Sequence, residues 1–302
     1  MVYTITLNPA LDYEMWVETL RRDDINRSYA ENLHFGGKGI NVSVILSRLG
    51  VANEALGFTA GFTGKQLETM LCAEGIRCDF THLSHGMTRI NVKIRAESEL
   101  DINARGPEIN DREIEALLAK LDKAASGDYV VLAGSIPQNL PSDIYEKMMR
   151  KGSEKGVRFV VDTTGALLLN ALKYKPFLIK PNHLELGDLF GVRTETDDEI
   201  VCYAKKLQER GARNVLVSRS KDGALLLDEN GDVHKIGIVT GKPVVSSVGC
   251  GDSMVGGFIA GYLKTGDFSH ALRLGAACGS ATAFTEGLAE KQDIEEVFHK
   301  LK

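Results

Sequence analysis

The sequence feature that most directly indicates chemistry is a run of small residues that ends in an acid. The run comprises Gly249, Cys250, Gly251 and Asp252, and an apolar segment spans residues 254–263. Small residues let a backbone approach a ligand closely, and the free N–H groups at a helix start attract anions. A carboxylate beside such an anion site can accept a proton from an attacking hydroxyl. The pattern indicates phosphoryl transfer, although an acid that only caps a helix after a glycine turn fits it as well.

A second glycine cluster precedes another segment with helical spacing. It contains Gly36, Gly37, Lys38 and Gly39, and apolar residues recur with helical spacing from position 40 onward. The cluster offers backbone donors and an ammonium group to a polar ligand. A strand-to-helix turn with a solvated lysine is the alternative interpretation.

Neither of the common glycine-rich nucleotide motifs occurs in the chain. No Gly-Lys pair precedes Ser or Thr, and the pattern G-x-G-x-x-G is absent. A P-loop enzyme and a dinucleotide-dependent dehydrogenase are therefore disfavoured.

The elements that must position these residues alternate regularly after residue 110. The sequence predicts helices over 111–125, 142–155, 166–173 and 197–210, and strands at Tyr129–Ala133, Val157–Asp162, Phe177–Lys180 and Asn214–Ser218. Alternating strands and helices predict an α/β fold with a mostly parallel central sheet and helices on both faces. The last 50 residues are almost entirely helical in pattern.

Two segments, residues 12–35 and 88–105, do not follow this alternation. Both have the polar alternation of strands, which is strict over residues 88–95. They predict a small separate β-sheet that acts as a lid. Because no Pro/Ser-rich linker interrupts the chain, we expect residues 1–302 to form one domain that includes this lid.

The composition limits the classes of function. The 302 residues are 43% hydrophobic and 25% charged, with a formal net charge of −5. That charge disfavours nucleic acid as the main partner but permits a small anionic ligand. Five cysteines without a C-x-x-C pair disfavour a disulfide scaffold and structural zinc. With no signal peptide pattern and no apolar run near about 18 residues, we expect a cytoplasmic protein without a membrane association.

Three motifs in order resemble those of the ribokinase-like carbohydrate kinases. They are residues 36–42 (Gly-Gly-Lys-Gly-Ile-Asn-Val), residues 180–185 (Lys-Pro-Asn-x-x-Glu) and residues 249–252. The resemblance covers essentially the whole chain and implies the ribokinase-like fold, ATP and Mg²⁺. Residues 6–12 and 88–93 are most similar to the sugar-phosphate branch that phosphorylates fructose 1-phosphate. Tagatose-6-phosphate kinases share the first of these segments and residues 246–253, but they resemble residues 90–93 less.

The resemblance implies a role for each matching residue. Asp252 is the general base, and the backbone of residues 249–251 stabilises the transferring charge. The residues implied to bind sugar hydroxyls are Asp12, Gly37 and Asn41. Those implied to bind the substrate phosphate are Lys38, Arg89, Lys93, Arg27 and Arg105. Those implied to bind the nucleotide are Lys180, Asn182, Ser218, Gly223, Gly249 and Gly251. Asn182 and Glu185 are implied to hold Mg²⁺ through water.

Some of these assignments have alternatives. Arg27 and Arg105 could be ordinary strand surface, and Glu185 a solvated residue at a helix start. Cys250 replaces the Ala or Ser usual in the family, which predicts oxidation-sensitive activity. Ser220 stands where the family often has Gly, so the nucleotide contacts are less defined.

The resemblance also implies a homodimer formed through the lid. The competing functions are tagatose-6-phosphate kinase, 6-phosphofructokinase, or a catalytically idle sugar-phosphate sensor. The presence of Asp252, Asn182 and Glu185 counts against the sensor.

Overall fold

The computed structural model describes residues 1–301. The strands of these residues are β1 (Val2–Thr6), β2 (Ala10–Trp16), β3 (Ala30–Gly36), β4 (Asn53–Thr59), β5 (Arg77–Cys78), β6 (Thr81–His82), β7 (Arg89–Arg95), β8 (Glu99–Ile102), β9 (Tyr129–Ala133), β10 (Arg158–Asp162), β11 (Leu178–Ile179), β12 (Asn214–Ser218), β13 (Ala224–Leu227) and β14 (Val233–Ile236). The helices are α1 (Lys38–Arg48), α2 (Gly61–Ala73), α3 (Asp111–Lys120), α4 (Ile144–Ser153), α5 (Gly165–Ala171), α6 (His183–Phe190), α7 (Asp197–Glu209), α8 (Cys250–Thr265), α9 (Phe268–Ala283) and α10 (Lys291–Lys300).

The large sheet has ten strands in the order β14-β13-β12-β11-β10-β9-β1-β4-β5, with β6 paired to β4. Its strands run parallel from β12 to β5, and the only antiparallel pairs are β12 with β13 and β13 with β14. The predicted mostly parallel sheet is therefore confirmed. Strand β1 lies between β4 and β9. The chain therefore adds β4 on one side of β1 and later adds β9 on the other side. Such a switch point is where open α/β sheets bind ligands, beyond the carboxyl ends of the strands.

Helices cover both faces of this sheet, as predicted. In β9, Val130 and Leu132 pack in the core layer that contains α3 to α7, whereas Tyr129 and Val131 pack in the layer that contains α1 and α8 to α10. Successive side chains of a strand point to opposite faces, so a strand covered on both sides is continuously apolar. The three C-terminal helices confirm the helical pattern predicted for the last 50 residues.

The predicted helices match α3, α4, α5 and α7 to within a few residues at their starts. Capping boxes fix two of these starts: Asn110 pairs with Glu113, and Thr196 pairs with Glu199. The sequence analysis assigned no element to β4 or α2. Strand β4 contains Gly57, a poor strand former, because any Cβ there would lie 2.0 Å from the carbonyl oxygen of Thr6.

The separate sheet is also confirmed, with four strands in the order β3-β2-β7-β8. Strand β2 pairs antiparallel with β3 and parallel with β7, and β8 pairs antiparallel with β7. Residues 17–29 form the loop between β2 and β3. Whether this second sheet acts as a lid stays a prediction.

The two faces of the second sheet differ in chemistry. The charged face includes Asp12 and Lys93, which pair across β2 and β7. The apolar face carries Tyr13, Leu33, Ile94, Leu100 and Ile102, which the strand register places side by side. Between residues 1 and 301, no helix is both long and apolar enough to cross a membrane.

The turn between β12 and β13 has an unfavourable backbone at Ser220. Its φ is +52°, in the left-handed region, and Gly223 in the same turn has a φ of +83°. A residue with a side chain costs roughly 1–2 kcal/mol in that region. This conformation accounts for the glycine that the family often has at the position of Ser220.

We expect Ser220→Gly to raise the free energy of unfolding by up to about 1 kcal/mol, because relief of the backbone strain exceeds the added entropy of the unfolded chain. Thermal denaturation should show a rise in Tm of roughly 2 °C. The control is Gly223→Ala, whose Cβ would lie 2.0 Å from the carbonyl oxygen of Ile236 and should lower Tm. A Tm for Ser220→Gly at or below that of the wild type would contradict this account.

Candidate active site

Asp252 lies in the first turn of α8, and its side chain does not cap that helix. The N-cap is Gly249, with a φ of +77°, and no side-chain hydrogen bond caps this helix start. The Asp252 Oδ2 instead accepts a hydrogen bond of 2.8 Å from Asn41 Nδ2, and the residue is only 6% exposed. A buried carboxylate directed away from its own helix is the arrangement expected of a catalytic acid or base rather than a cap.

Glycines bring the starts of α1 and α8 together. A Cβ at Gly39 would lie 2.6 Å from the carbonyl oxygen of Ile5, so the first turn of α1 rests directly on the end of β1. A Cβ at Gly256 would lie 3.0 Å from the side chain of Ile45, so α8 packs closely on α1. This close packing brings Asn41 within hydrogen-bond distance of the acid on α8.

A second buried acid, Asp162, faces the same site from the end of β10. It is 3% exposed, with Lys180 Nζ 3.3 Å from its Oδ1 and Lys38 Nζ 3.8 Å from its Oδ2. The Oδ2 has no hydrogen-bond partner. The sequence analysis missed Asp162, although it ends a predicted buried strand of the parallel sheet. A carboxylate in that position was the available signal, because ligands bind at the carboxyl ends of such strands.

The electrostatics of this cluster hold Asp252 near its midpoint of ionisation at neutral pH. Burial raises the pKa of Asp252 to about 7, and repulsion by Asp162 acts in the same direction, whereas Asn41, Lys38 and Lys180 oppose the shift. For Lys180, burial disfavours the ammonium form, but attraction by the acids exceeds this cost and its pKa is raised. A base whose pKa lies near the working pH is suited to general-base catalysis.

Lys38 lies beside the acids at the sheet switch point. Its ion pair is with Asp162, and its methylene groups lie 3.8–4.0 Å from the position that a Cβ of Gly134 would occupy. Lys93 pairs instead with Asp12. The lysines predicted to form one phosphate clamp thus have separate partners, and the position of Lys38 fits a transferring phosphoryl group.

The carboxylate of Asp12 is held from several sides on the second sheet. Asn91 Nδ2 donates to Oδ1 at 2.7 Å, and Lys93 Nζ lies 3.3 Å from Oδ2. A Cβ at Gly36 would lie 3.0 Å from both oxygens, which explains a glycine there. The structure therefore brings Asp12 and Lys93 together, and it places Gly37 in the turn that immediately precedes α1, with a φ of +133°.

The three arginines predicted to bind a phosphate have different surroundings. Arg89 is half-buried, and its Nε and Nη1 donate to the carbonyl oxygens of Asn8 and Ala104, both at 3.2 Å. Burial lowers the pKa of this guanidinium, and Asp12 opposes the shift. Arg105 is exposed and pairs with Glu108, and Arg27 is exposed in the loop between β2 and β3.

Several residues predicted to bind nucleotide and metal lie at or just beyond the ends of β11 and β12. Asn182 and Glu185 form a capping box at the start of α6, each side chain accepting the other's backbone N–H at 2.8 Å. The backbone of Asn182 also forms a bridge with Ser218. Lys180 Nζ would lie 3.1 Å from a Cβ at Gly251, which joins this side to the start of α8.

Cys250 and Gly223 have structural surroundings that bear on their predicted roles. Burial raises the pKa of the Cys250 thiol to about 11, and Asp252 adds to the shift. The thiol is therefore protonated at neutral pH, which disfavours the predicted oxidation sensitivity. The close approach of Ile236 in β14 requires a glycine at position 223, independently of any role of Gly223 in nucleotide binding. All five cysteines are free.

Comparison with known proteins gives consistent results over the whole chain. The family described as pfkB family carbohydrate kinase matches residues 3–295. The chain is 45% identical to 1-phosphofructokinase of Bacillus subtilis, covering 100% of this chain and 99% of the relative. It is 36% identical to D-tagatose-1-phosphate kinase of Bacillus licheniformis, with 100% and 99% covered. Phosphofructokinase-2 from Escherichia coli in complex with fructose-6-phosphate has a TM-score of 0.90 at 27% identity, covering 99% of this chain and 98% of the other.

We expect Asp252→Asn to lower kcat for phosphoryl transfer from ATP to a sugar phosphate by roughly 10²–10⁴-fold, because the amide cannot accept the proton. The KM for the sugar phosphate should change much less. The wild-type kcat should fall as pH decreases through about 7, since protonation of Asp252 removes the base. Near-normal turnover in the variant would exclude Asp252 as the base.

Thermal denaturation supplies the control for folding of this variant. Because the pKa of Asp252 is raised in the folded state, the folded protein favours the protonated acid and loses stability as pH rises from about 4 to about 7. At pH 8 the uncharged amide should give a Tm no lower than that of the wild type.

Proposed function

The chain belongs to the pfkB family of carbohydrate kinases, and from that premise we propose that it transfers the γ-phosphoryl group of ATP to the 6-hydroxyl of fructose 1-phosphate, giving fructose 1,6-bisphosphate. The observation that carries the proposal is the buried Asp252, which shares one site with Asp162, Lys38 and Lys180 at the start of α8. The 45% identity with a 1-phosphofructokinase over the whole chain supports this substrate over others.

In the proposed reaction, Asp252 accepts the proton of the 6-hydroxyl. The hydroxyl oxygen forms a bond to the γ-phosphorus, and the bond from that phosphorus to the bridging oxygen of ADP breaks, leaving the electron pair on ADP. The free N–H groups at the start of α8 stabilise the charge on the transferring oxygens. The buried Lys180 and Lys38, whose side chain is 46% exposed, add two positive charges at this site.

The residues at the end of β10 and the start of α6 fit Mg²⁺ as the cofactor. The buried Asp162 Oδ2 has no hydrogen-bond partner, and a carboxylate oxygen is the ligand that Mg²⁺ prefers. No cluster of three or more His, Cys, Asp or Glu side chains suited to a metal occurs within residues 1–301. Mg²⁺ usually binds through one or two carboxylates, water and substrate phosphates, so Asp162 and, through water, Asn182 and Glu185 are its proposed partners. When bound, Mg²⁺ would neutralise charge on the phosphate oxygens.

We assign the sugar phosphate to the second sheet. Each oxygen of Asp12 has one partner among Asn91 and Lys93, so each keeps a lone pair for a sugar hydroxyl. Arg89 has two donors engaged by backbone carbonyls, which leaves its Nη2 for a phosphate oxygen. Arg27 and Arg105, both exposed, are proposed to reach the phosphate when the second sheet closes as a lid. ATP is proposed to lie against Lys180, Ser218 and Gly223.

A related ketohexose phosphate is the second candidate substrate. The relative from Bacillus licheniformis is named for tagatose 1-phosphate, and the structural neighbour from Escherichia coli holds fructose 6-phosphate. The sequence analysis considered tagatose 6-phosphate as the alternative. All of these carry a phosphate, which the basic residues near the sugar site favour. A reaction on ATP and a sugar phosphate also agrees with the cytoplasmic location that the sequence analysis predicted.

Comparison of kcat/KM values at saturating ATP and Mg²⁺ tests the substrate. We expect fructose 1-phosphate to exceed tagatose 1-phosphate, tagatose 6-phosphate and fructose 6-phosphate. Free fructose should be far poorer, because its binding leaves the charges of the site unpaired. A higher value for another hexose phosphate would replace the substrate but keep the kinase. Absence of turnover with every sugar phosphate, together with measurable binding, would favour the idle sensor.

We also propose that the chain is a homodimer formed through the second sheet. The apolar face of that sheet has exposed side chains at its edge, with Leu100 41% and Ile102 54% accessible. A cavity of about 630 Å³ lies against the same face, lined by side chains that include Tyr13, Leu33 and Phe62. A second copy that covers this face would remove the apolar surface from water and would protect an exposed sheet edge.

Light scattering coupled to size-exclusion chromatography should give twice the monomer mass for the wild type. Ile102→Asp should shift the protein to the monomer, because it places a charge in the proposed interface. Leu263→Asp is the matched control, since Leu263 is 45% exposed on α8 and should leave the dimer intact. A monomeric wild type, or an Ile102→Asp variant that stays dimeric, would contradict the proposed interface.

A further inference from the structure

The amide of Asn91, in the middle of β7, bonds in two directions. Its Nδ2 donates to Asp12 Oδ1 at 2.7 Å, and its Oδ1 accepts from the backbone N–H of Ala104 at 3.2 Å. The residue is only 7% exposed. Because a backbone N–H can only donate and the ionised carboxylate of Asp12 can only accept, the two partners fix which way the amide points.

The segment that Asn91 contacts is itself tied to the sugar side of the site. Arg89 Nη1 donates to the carbonyl oxygen of Ala104, and Asn8 Nδ2 donates to the carbonyl oxygen of Arg105 at 2.9 Å. A Cβ at Gly106 would lie 2.3 Å from Asn8 Oδ1, so this segment packs closely against the end of β1. Asn91 therefore connects the carboxylate of Asp12 to a segment whose backbone is fixed at several points.

The Asp12 carboxylate depends on this connection for its orientation. Gly36 closes one side without making a hydrogen bond, and Lys93 contacts only Oδ2. The lysine is a flexible point charge that fixes no direction, whereas the amide is short and buried, with both of its ends hydrogen-bonded. Without Asn91, the oxygen Oδ1 would lose its donor, and the carboxylate could rotate toward the lysine.

We propose that Asn91 is a positioning residue for sugar binding, which holds Asp12 in the orientation that receives the sugar hydroxyls and couples it to the segment at residues 104–106. The inference rests on the proposed function, because it takes Asp12 as a sugar ligand. Asn91 does not touch the reacting atoms. Its effect should appear in the kinetics of the sugar phosphate and not in those of ATP.

The test compares two substitutions of Asn91 in the full chain. Asn91→Asp keeps the shape and the acceptor for Ala104 but replaces the donor with a like charge that faces Asp12. Asn91→Ala removes the donor without adding charge. We expect kcat/KM for fructose 1-phosphate to fall at least tenfold in both, as the loss of a hydrogen bond to a charged group implies, and more in Asn91→Asp. The KM for ATP should stay within about twofold.

Asn53→Asp is the control for a purely structural effect. Asn53 lies at the start of β4, outside the sugar side of the site, and is 4% exposed. Its Nδ2 donates to Ser47 Oγ and to the carbonyl oxygen of Val51. This variant should lower Tm but leave the KM for the sugar phosphate unchanged. If either soluble Asn91 variant keeps the wild-type kcat/KM for the sugar phosphate, or loses ATP affinity to the same degree, the positioning role is overturned.

The result separates this inference from the proposed function. A wild-type chain that phosphorylates no ketohexose phosphate overturns both. A wild type that prefers another ketohexose phosphate changes only the substrate, and the same comparison is then made with that sugar. Normal wild-type turnover with unaffected Asn91 variants overturns the positioning role alone.

Discussion

Two carboxylates buried within one site are the constraint on which the rest of the structure depends. Asp162 and Asp252 are 3% and 6% exposed, and each would be costly to bury as an isolated charge. Lys180 and Lys38 offset this cost by ion pairing with Asp162. The raised pKa of Asp252 leaves its carboxyl group partly protonated near neutral pH. A buried ion pair such as Lys180–Asp162 contributes little net stability, so its presence is explained by chemistry rather than by folding.

The fold meets this constraint by bringing the ends of strands and the starts of helices together. The acids and lysines come from the end of β10, the residue after β11 and the first turns of α1 and α8, all at one edge of the sheet. Glycines make the convergence possible, because side chains at Gly39, Gly57 and Gly256 would collide with the neighbouring backbone or side chains. In the proposed function, the start of α8 that this packing positions presents its free N–H groups to the transferring phosphoryl group.

The second sheet carries the residues proposed to bind the sugar and the surface proposed for association. Its charged face holds Asp12 with Lys93 and Asn91, and the exposed part of its apolar face is the surface proposed to contact another copy of the chain. One short sheet with alternating side chains therefore accounts for both sugar binding and association in the proposed function. The two roles depend on the same strand register, since a shift by one residue would exchange the faces.

The sequence by itself determined the elements with strong local signals. Periodic apolar patterns predicted helices α3, α4, α5 and α7 and the parallel strands between them, and the glycine clusters indicated α1 and α8 as ligand-facing helix starts. Only the tertiary structure decided the partners. Asp162, 90 residues before Asp252, is marked in the sequence only by its place at the end of a predicted buried strand, and Lys38 pairs with Asp162 instead of lying beside the other predicted phosphate ligands. Hydrogen bonds and ion pairs between distant residues depend on how strands and helices pack, and local pattern carries no information about that.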